Sequence, residues 1–430
     1  MNRQNVVLWT LYDFANSIVT IVFFLYFSQW LVVEKGVADI WYNMIFSIGS
    51  VLLLLTAPVL GNIADRNGRQ QVYLNRITLC AFGCFFAVSL VALFFSGHVF
   101  IAALFFLLAN YFYQFSFGFY NALLHHIAPP EKWGTISGIG QAGNWFGQIV
   151  GLLITLPLAT GVLYLFGEAG RAQTFLPATL LFLLLALPML LWFKIPTSIA
   201  RNGPTTPRLH WRQEYGKQWQ KFKTLVRAPN MGMFLLSYFF FNDAIITASN
   251  NFPIFLQNVF AVSDSTKSML LMSILLTSVI GALCSGWVAD KIGLKKALMI
   301  VLGSWVLICP FLATATNFSV FVVLCTLMGF FFGAIWTVTR ATMTAICPKE
   351  QLNFGFSFYT LAERVSTLVG PMTWGLITTL FFDFGSIRYR LALAVMSIFV
   401  IIGFFLLQKI EIGETAHNHD STMNRAPTIG

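Results

Sequence analysis

The chain has little charge, little cysteine and little histidine. Of its 430 residues only 10% are Asp, Glu, Lys or Arg, against a usual fraction of about 25% in soluble domains. That shortage excludes an ordinary soluble domain, which needs a charged surface. The six cysteines lie in or at the ends of apolar segments. Cys80 and Cys84 share a helix face, but no CxxC occurs and no His stands at metal-ligand spacing. All six read as small apolar packing residues, so no metal site is expected. The chain lacks a GxxxxGK(S/T) phosphate loop, which speaks against ATP hydrolysis. It also lacks HExxH and a nucleophile elbow, so nothing points to an enzyme and no cofactor is expected. A cleavable signal is absent too. The first apolar segment is too long, contains Asp13 and Asn16, and has no small-residue cleavage site.

What is present is hydrophobic. Apolar residues make up 57% of the chain, which contains 45 Phe, and mean hydropathy is +0.75. Apolar stretches of about 20 residues, enough to cross the hydrocarbon core as helices, recur from end to end. They do not alternate, so a β-barrel is excluded. We count about twelve spans, at 6–33, 40–60, 72–96, 98–128, 134–165, 172–195, 231–260, 267–287, 296–316, 318–347, 354–382 and 388–409. Short loops make neighbouring helices antiparallel. The expected architecture is an all-α membrane protein of twelve transmembrane helices in two pseudo-symmetric six-helix bundles.

The net charge of +10 does not indicate nucleic acid, because the cations are segregated. About 21 of the 26 Lys and Arg fall on one side of the membrane, including the run from Arg201 to Arg227. The opposite loops hold Lys35, Arg171, Lys267, Arg388 and Arg390. The positive-inside rule then puts both termini in the cytoplasm. Short loops and the lack of eukaryotic targeting signals favour a bacterial inner membrane. Residues 1–195 form an N-terminal six-helix bundle in this reading, and 231–409 a C-terminal one. Segment 196–230 joins them. It opens with helix breakers, then repeats Trp211, Tyr215, Trp219, Phe222 and Val226 at helical spacing among Lys and Arg. That pattern fits an amphipathic helix on the cytoplasmic surface, or less readily a calmodulin-like target. The tail 410–430 has no apolar periodicity and reads as disordered.

A hydrophilic phrase occurs twice. Gly61, Asp65, Arg66, Gly68 and Arg69 stand between two apolar segments, and Gly286, Asp290, Lys291 and Gly293 stand between two others. Asp13 in the first span is echoed by Asp243 in the seventh. Duplicated membrane halves are a common way to build a transporter.

The phrase at 61–69, Gly-x-x-x-Asp-Arg-x-Gly-Arg, resembles the loop between helices two and three of the major facilitator superfamily. The copy at 286–296 is a weaker version, with Lys291 for Arg and Leu294 in place of the last Arg. The opening Tyr12-Asp13-Phe14-Ala15-Asn16-Ser17 is similar to that of the vacuole-effluxer branch, which holds autophagy-related vacuolar amino-acid exporters and bacterial relatives. The resemblance implies a secondary active transporter working by alternating access, with amino acids or related small metabolites as substrates. It also implies that Asp65, Arg66 and Arg69 form a cytoplasmic latch holding the outward-open state. The bland alternative is a solvated turn that only fixes topology.

Charges within spans narrow the chemistry. Asp13, Ser17 and Thr20 share one helix face, and Asp243, Thr247 and Asn250 repeat the pattern. Asn16, Arg340, Glu363 and Arg364 are also intramembrane. An ionised residue at the bilayer centre costs roughly 2.5–3.5 kcal/mol even on the low scales. These groups must therefore face a wet cavity or each other, for example as static ion pairs. Arg can hold a carboxylate or phosphate, and Asp or Glu an ammonium group or a proton. Both kinds together suit a zwitterion. An anionic substrate would need the arginines alone; the runner-up substrates are small organic anions, siderophore-like carboxylates or sugar derivatives. Asn110 and Gln114 on the fourth span, and Gln141, Asn144 and Gln148 on the fifth, read as a hydrated lining. As interhelical glue they would be worth about 0.6 kcal/mol each. Gly143, Gly147 and Gly151 on the fifth span have the spacing of close helix contacts. The expected partners are a small-molecule substrate, the lipid bilayer and protons, with no nucleic acid, and the protein is expected to be monomeric. The rival class is a non-transporting membrane receptor or scaffold, which requires a dry, permanently paired core.

Overall fold

The computed structural model describes residues 3–66, 70–123, 133–167, 169–193, 230–346 and 368–410, with isolated residues between them. Within these residues the chain is helical throughout. In chain order the helices are α1 (Arg3–Val22), α2 (Asp39–Arg66), α3 (Gln70–Phe94), α4 (Val99–Ala122), α5 (Trp133–Ala159) and α6 (Phe175–Trp192). The second half follows with α7 (Met231–Phe260), α8 (Asp264–Ile292), α9 (Leu294–Thr314), α10 (Phe318–Ile346), α11 (Val369–Leu380) and α12 (Ile387–Gln408). Eleven of the described helices are long and apolar enough to cross a membrane, which fits the about 20 residues a span requires. The exception, α11, belongs to the expected span 354–382, whose first part lies outside the described residues.

Apolar sequence on every face puts bulky side chains both inside and on the outer surface. Tyr12, Tyr26, Trp30, Tyr238 and Trp374 are fully buried, whereas Phe100, Leu184, Leu283 and Val323 stand exposed on the outside. In lipid such exposure is favourable, because the acyl chains are as apolar as the side chains. The first span is longer than α1. It continues through two π-helical turns, Phe23–Phe27 and Trp30–Glu34, which carry the helix to Glu34. The fifth span ends earlier than the expected residue 165. Its helix stops at Ala159, and Gly161 at φ +75° turns the chain away.

The two halves repeat one packing scheme. In the first half α1 packs on α5 and α6, α2 on α4, and α3 on α4 and α6. The second half repeats this with α7 on α11 and α12, α8 on α10, and α9 on α10 and α12. Across the halves α2 meets α11 and α5 meets α8. The α1–α5 contact depends on small residues. A Cβ on Gly147 would collide with Ser17 Oγ and the carbonyl of Phe14, so the two backbones touch there.

The ends of the bundle differ. The proximal end carries the first and last described residues of the bundle, Arg3 and Ile410. The distal end carries the turns 35–38, 95–98, 160–167 with 169–170, 261–263, 315–317 and 381–386. The central segment 196–230 lies almost wholly outside the described residues, as does the tail from 411.

Candidate functional site: a cavity between the halves

A cavity of about 360 Å³ lies between the two halves. The first half contributes Thr20 from α1, Ser50 from α2, Asn110, Tyr113 and Gln114 from α4, and Trp145 and Gln148 from α5. The second half contributes Ser249 and Asn250 from α7, Trp305 from α9, Phe332 and Trp336 from α10, and Trp374 from α11. Helical periodicity explains the composition. Asn110 and Gln114 are one turn apart on α4, so their amides stack along one strip of wall. Trp145, Trp305 and Trp374 add indole N–H groups that have no hydrogen-bond partner among the described residues. An aromatic wall with a few convergent polar groups is the usual chemistry of a small-molecule site.

The expected site residues divide among three environments. Asn110 and Gln114 line the cavity. Asp13 and Asn144 stand just behind the wall. Asn144 Nδ2 donates to Asp13 Oδ1 at 2.8 Å, and Gln148 Nε2 donates to Asn144 Oδ1 at 2.8 Å. Asp13 is only 6% exposed, with Tyr120 beside it as a hydrogen-bond neighbour and Arg340 acting on it through space. Asn16 and Ser17 are buried and turned to their own helix, donating to the carbonyls of Tyr12 and Phe14 at 2.8 and 2.7 Å. Neither appears in the cavity wall, although each lies about one turn from Thr20, which does.

In the second half Asp243 and Thr247 are fully buried against α11. Asp243 Oδ2 accepts the backbone N–H of Gly370 at 2.7 Å. Gly370 has to be glycine here, since a Cβ would strike Asp243 Oδ1 and Thr247 Oγ1. Toward the proximal end the exposed Arg340 crosses between the halves, Nη2 donating to Gln141 Oε1 at 3.2 Å. Glu363 and Arg364 lie outside the described residues.

The repeated phrase is only partly visible. Gly61, Asp65 and Arg66 fall in the last turns of α2, and their side chains lie outside the described residues, as do Gly68, Arg69 and the side chain of Asp290. In the second copy Gly293 adopts φ +89° between α8 and α9, the tight turn that favours glycine. Lys291 Nζ sits 3.7 Å from the centre of the Trp287 ring, a cation–π contact within its own helix. Gly286 faces Thr337 of α10 at ordinary contact distance.

Sequence reasoning did not single out the distal seal. Arg171, just before α6, donates from Nε and Nη2 to Asp264 Oδ2 and Oδ1 at 2.7 and 3.1 Å, and from Nη1 to Glu34 Oε1 at 2.5 Å. The Lys267 side chain is fully buried, 2.9 Å from Asp264 Oδ1 and hydrogen-bonded to Gln29 and Gln257. Further in, Asn43 and Asn251 exchange side-chain hydrogen bonds at 3.0 and 2.8 Å, and Tyr42 Oη donates to the carbonyl of Asn250 at 3.1 Å. Tyr389 Oη donates to Asp39 Oδ2 at 3.0 Å. Every one of these networks joins the first half to the second, and together they close the distal end. A signal was available. The distal loops hold few cations, and both Arg171 and Lys267 follow or flank an acid at the start of a span.

Comparisons with known proteins agree with this architecture. A family model described as Major Facilitator Superfamily matches residues 14–263 and 234–429. An uncharacterized MFS-type transporter of Bacillus subtilis, YxiO, is 23% identical over 390 residues, covering 85% of this chain and 86% of that protein. Autophagy-related protein 22 of Yarrowia lipolytica is 24% identical over 318 residues, 65% of this chain and 51% of that protein. Among solved structures, a bacterial homologue of the human lysosomal transporter Spinster, inward-facing and unoccupied, superposes with a TM-score of 0.73 at 13% identity, covering 95% of this chain and 98% of that one. Two six-helix halves, a cavity between them and a family match across nearly the whole chain lead to one conclusion: the chain belongs to the Major Facilitator Superfamily and is a secondary transporter rather than an enzyme.

Proposed function

We propose that this transporter carries small polar solutes, amino acids or related metabolites foremost, by alternating access coupled to protons. The observation that carries this reading is the cavity itself. Both halves line it, and side-chain networks between the halves close it off at the distal end. Rocking the halves apart at the distal end and together at the proximal end exposes the same wall to the other side. A solute bound to both halves shifts the population between the two states by its difference in affinity for them. A dry scaffold has no use for amides set in such a wall.

Asp13 and Asp243 are the carboxylates in position to carry the proton, one behind the wall of each half. Glu363, outside the described residues, completes the set we assign to the proton path. Arg340 is absent from the described cavity wall and reaches Gln141 instead, which disfavours a purely anionic substrate such as an organic acid or siderophore carboxylate. The aromatic and amide walls favour sugar derivatives as a second reading. A ring face stacks on indole while hydroxyls meet Asn110 and Gln114. With the basic loops facing inward, the protein sits in a bacterial inner membrane as a monomer with both termini cytoplasmic.

A thermal-shift screen of the purified protein against amino acids, organic acids, sugars and siderophores tests the substrate class. A ligand at 100 times its Kd stabilises the fold by about 2.7 kcal/mol. A concentration-dependent shift with amino acids that disappears in Gln114→Leu supports the first reading. Shifts confined to sugars or organic acids replace it.

A further inference from the structure

We propose that Asn144 and Gln148 form an amide relay that turns the protonation of Asp13 into a reversal of the hydrogen bond offered to the solute. The proposal rests on the reading that Asp13 takes up the coupled proton.

The structure holds the relay in one of its two possible directions. Asp13 Oδ1 accepts from Asn144 Nδ2, and Asn144 Oδ1 accepts from Gln148 Nε2. Each amide is donor at one end and acceptor at the other, so the chain has a sense. Its last member, Gln148, lines the cavity. With Nε2 turned back to Asn144, Gln148 has Oε1 left for the cavity. A carboxylate that only accepts therefore makes the wall present an acceptor, suited to an O–H or N–H of the solute.

Protonation makes the reverse sense available, which a carboxylate without a donor cannot support. A neutral Asp13 has one O–H to donate, and the acceptor it faces is Asn144 Oδ1 once that amide rotates by half a turn. Asn144 Nδ2 then points to Gln148, whose Oε1 accepts after the same rotation. Gln148 Nε2 is left facing the cavity, and the wall presents a donor. One proton binds to Asp13, two amide planes turn, and no covalent bond beyond that O–H is made. A solute that matches one sense of the relay is mismatched to the other, so its binding and the proton's are linked by geometry alone.

The groups around Asp13 leave the relay as its route to the cavity wall. Tyr120 from α4 stands beside it as a hydrogen-bond neighbour but is not part of the cavity wall, and Arg340 from α10 acts on it through space. Tyr12, next to it on α1, is engaged with Thr78 Oγ1 of α3 at 2.7 Å. Helices α5 and α6, which pack along α1, contain no titratable side chain. Glu363 and Arg364 are outside the described residues. Gly147, between Asn144 and Gln148, keeps α5 against α1 and so keeps the amides in register with Asp13. Asn144 is thus a positioning residue, and Gln148 the one that meets the solute.

Infrared difference spectra between acid and neutral buffer, recorded on the full chain in lipid nanodiscs, test this with the proton as the only probe. The expected result is a protonated-carboxyl band that disappears in Asp13→Asn, accompanied by shifts of side-chain amide carbonyl bands. Carbon-13 labelling of glutamine should move one of those bands, and Gln148→Leu should abolish it while keeping the carboxyl band. The labelled wild-type protein alone carries the test if that variant does not fold. An Asp13 band with no moving amide band overturns the relay and leaves the proton site standing. Absence of any Asp13 band across the pH range overturns the proton-coupled reading and the relay with it.

Discussion

Asp13 and Asp243 occupy the same place in the two halves. Each is buried on the first helix of its half, and each accepts a hydrogen bond from the fifth, from Asn144 Nδ2 at 2.8 Å and from the Gly370 N–H at 2.7 Å. The donors differ in kind. A side-chain amide can turn, and a backbone N–H held in a helix cannot. The two acids therefore carry different prospects as proton sites despite their symmetry.

Substitution at the two acids should separate their roles. Asp243→Asn keeps an acceptor for Gly370, and Asp13→Asn keeps one for Asn144, so both variants should fold with melting temperatures near the wild type. Asp13→Leu strands the Asn144 donor and should cost about 1–3 kcal/mol. Thermal unfolding followed by intrinsic fluorescence checks the order. Equal losses for Asp13→Asn and Asp13→Leu would show that charge rather than hydrogen bonding holds the site.

Close helix contact predicts a steric ranking among glycines. Gly147→Ala drives a methyl group into Ser17 and Phe14, an overpacking cost of about 1–3 kcal/mol. Gly83→Ala on α3 meets nothing within 4 Å, and the added helix propensity should leave it neutral or more stable by about 0.5–1 kcal/mol. Melting temperatures of the two variants, measured side by side, decide this. A Gly147→Ala protein as stable as Gly83→Ala would mean that α1 and α5 do not touch as described.

At the distal seal the expected effects are unequal. Asp264→Ala leaves both Arg171 and the buried Lys267 without their carboxylate, and breaking a buried pair from one side costs about 3–5 kcal/mol. Lys267→Met removes the buried charge itself and leaves Asp264 with its two bonds to Arg171, so it should cost much less. Because 1.4 kcal/mol is about tenfold in population, Asp264→Ala should populate the distally open state. Labelling rates of Ser268→Cys by a thiol reagent added on the distal side report this. Equal rates in Asp264→Ala and Lys267→Met would remove the seal from the mechanism.

The wall amides should control solute binding with little effect on the fold. Asn110→Leu and Gln114→Leu remove hydrogen bonds from the cavity and should weaken binding by about 0.5–1.5 kcal/mol each, the usual net worth of a neutral hydrogen bond. Arg340→Ala should affect the conformational equilibrium more than affinity, because its partner is Gln141 across the halves. Titration of thermal shifts with a hit from the ligand screen distinguishes the two patterns.

Much of this was legible in the residues. Apolar segments long enough to span, with twofold repetition of Gly-x-x-x-Asp and of the intramembrane acid, indicated two six-helix halves. Amides one turn apart on α4 indicated a lining, and Asn110 and Gln114 do line the cavity. Spacing along one helix says which residues share a face, but not which neighbour that face meets. Asp13 and Thr20 were placed on one face, yet Asp13 turns to Asn144 while Thr20 reaches the cavity. Asp243 accepts the backbone N–H of Gly370, a contact that no spacing in the sequence marks. The distal seal was legible only as a few cations and acids at the starts of spans, because its members come from the end of the first span, the segment before α6, and α2, α7, α8 and α12, and meet only in the folded bundle. The aromatic half of the cavity was hidden for another reason, since Trp305, Trp336 and Trp374 are common core residues with nothing local to mark them.

Alternating access at the cavity is the central claim, and Ser249 tests it most directly. It lines the cavity from α7, and among the described residues its hydroxyl bonds its own helix, donating to the carbonyl of Ile245 at 2.8 Å. In a cysteine-free background reconstituted in liposomes, Ser249→Cys should react with a membrane-impermeant thiol reagent from either side, and Asp264→Ala should raise the distal rate. Reaction from one side alone, unchanged by opening the distal seal, would contradict a cavity exposed in turn to both.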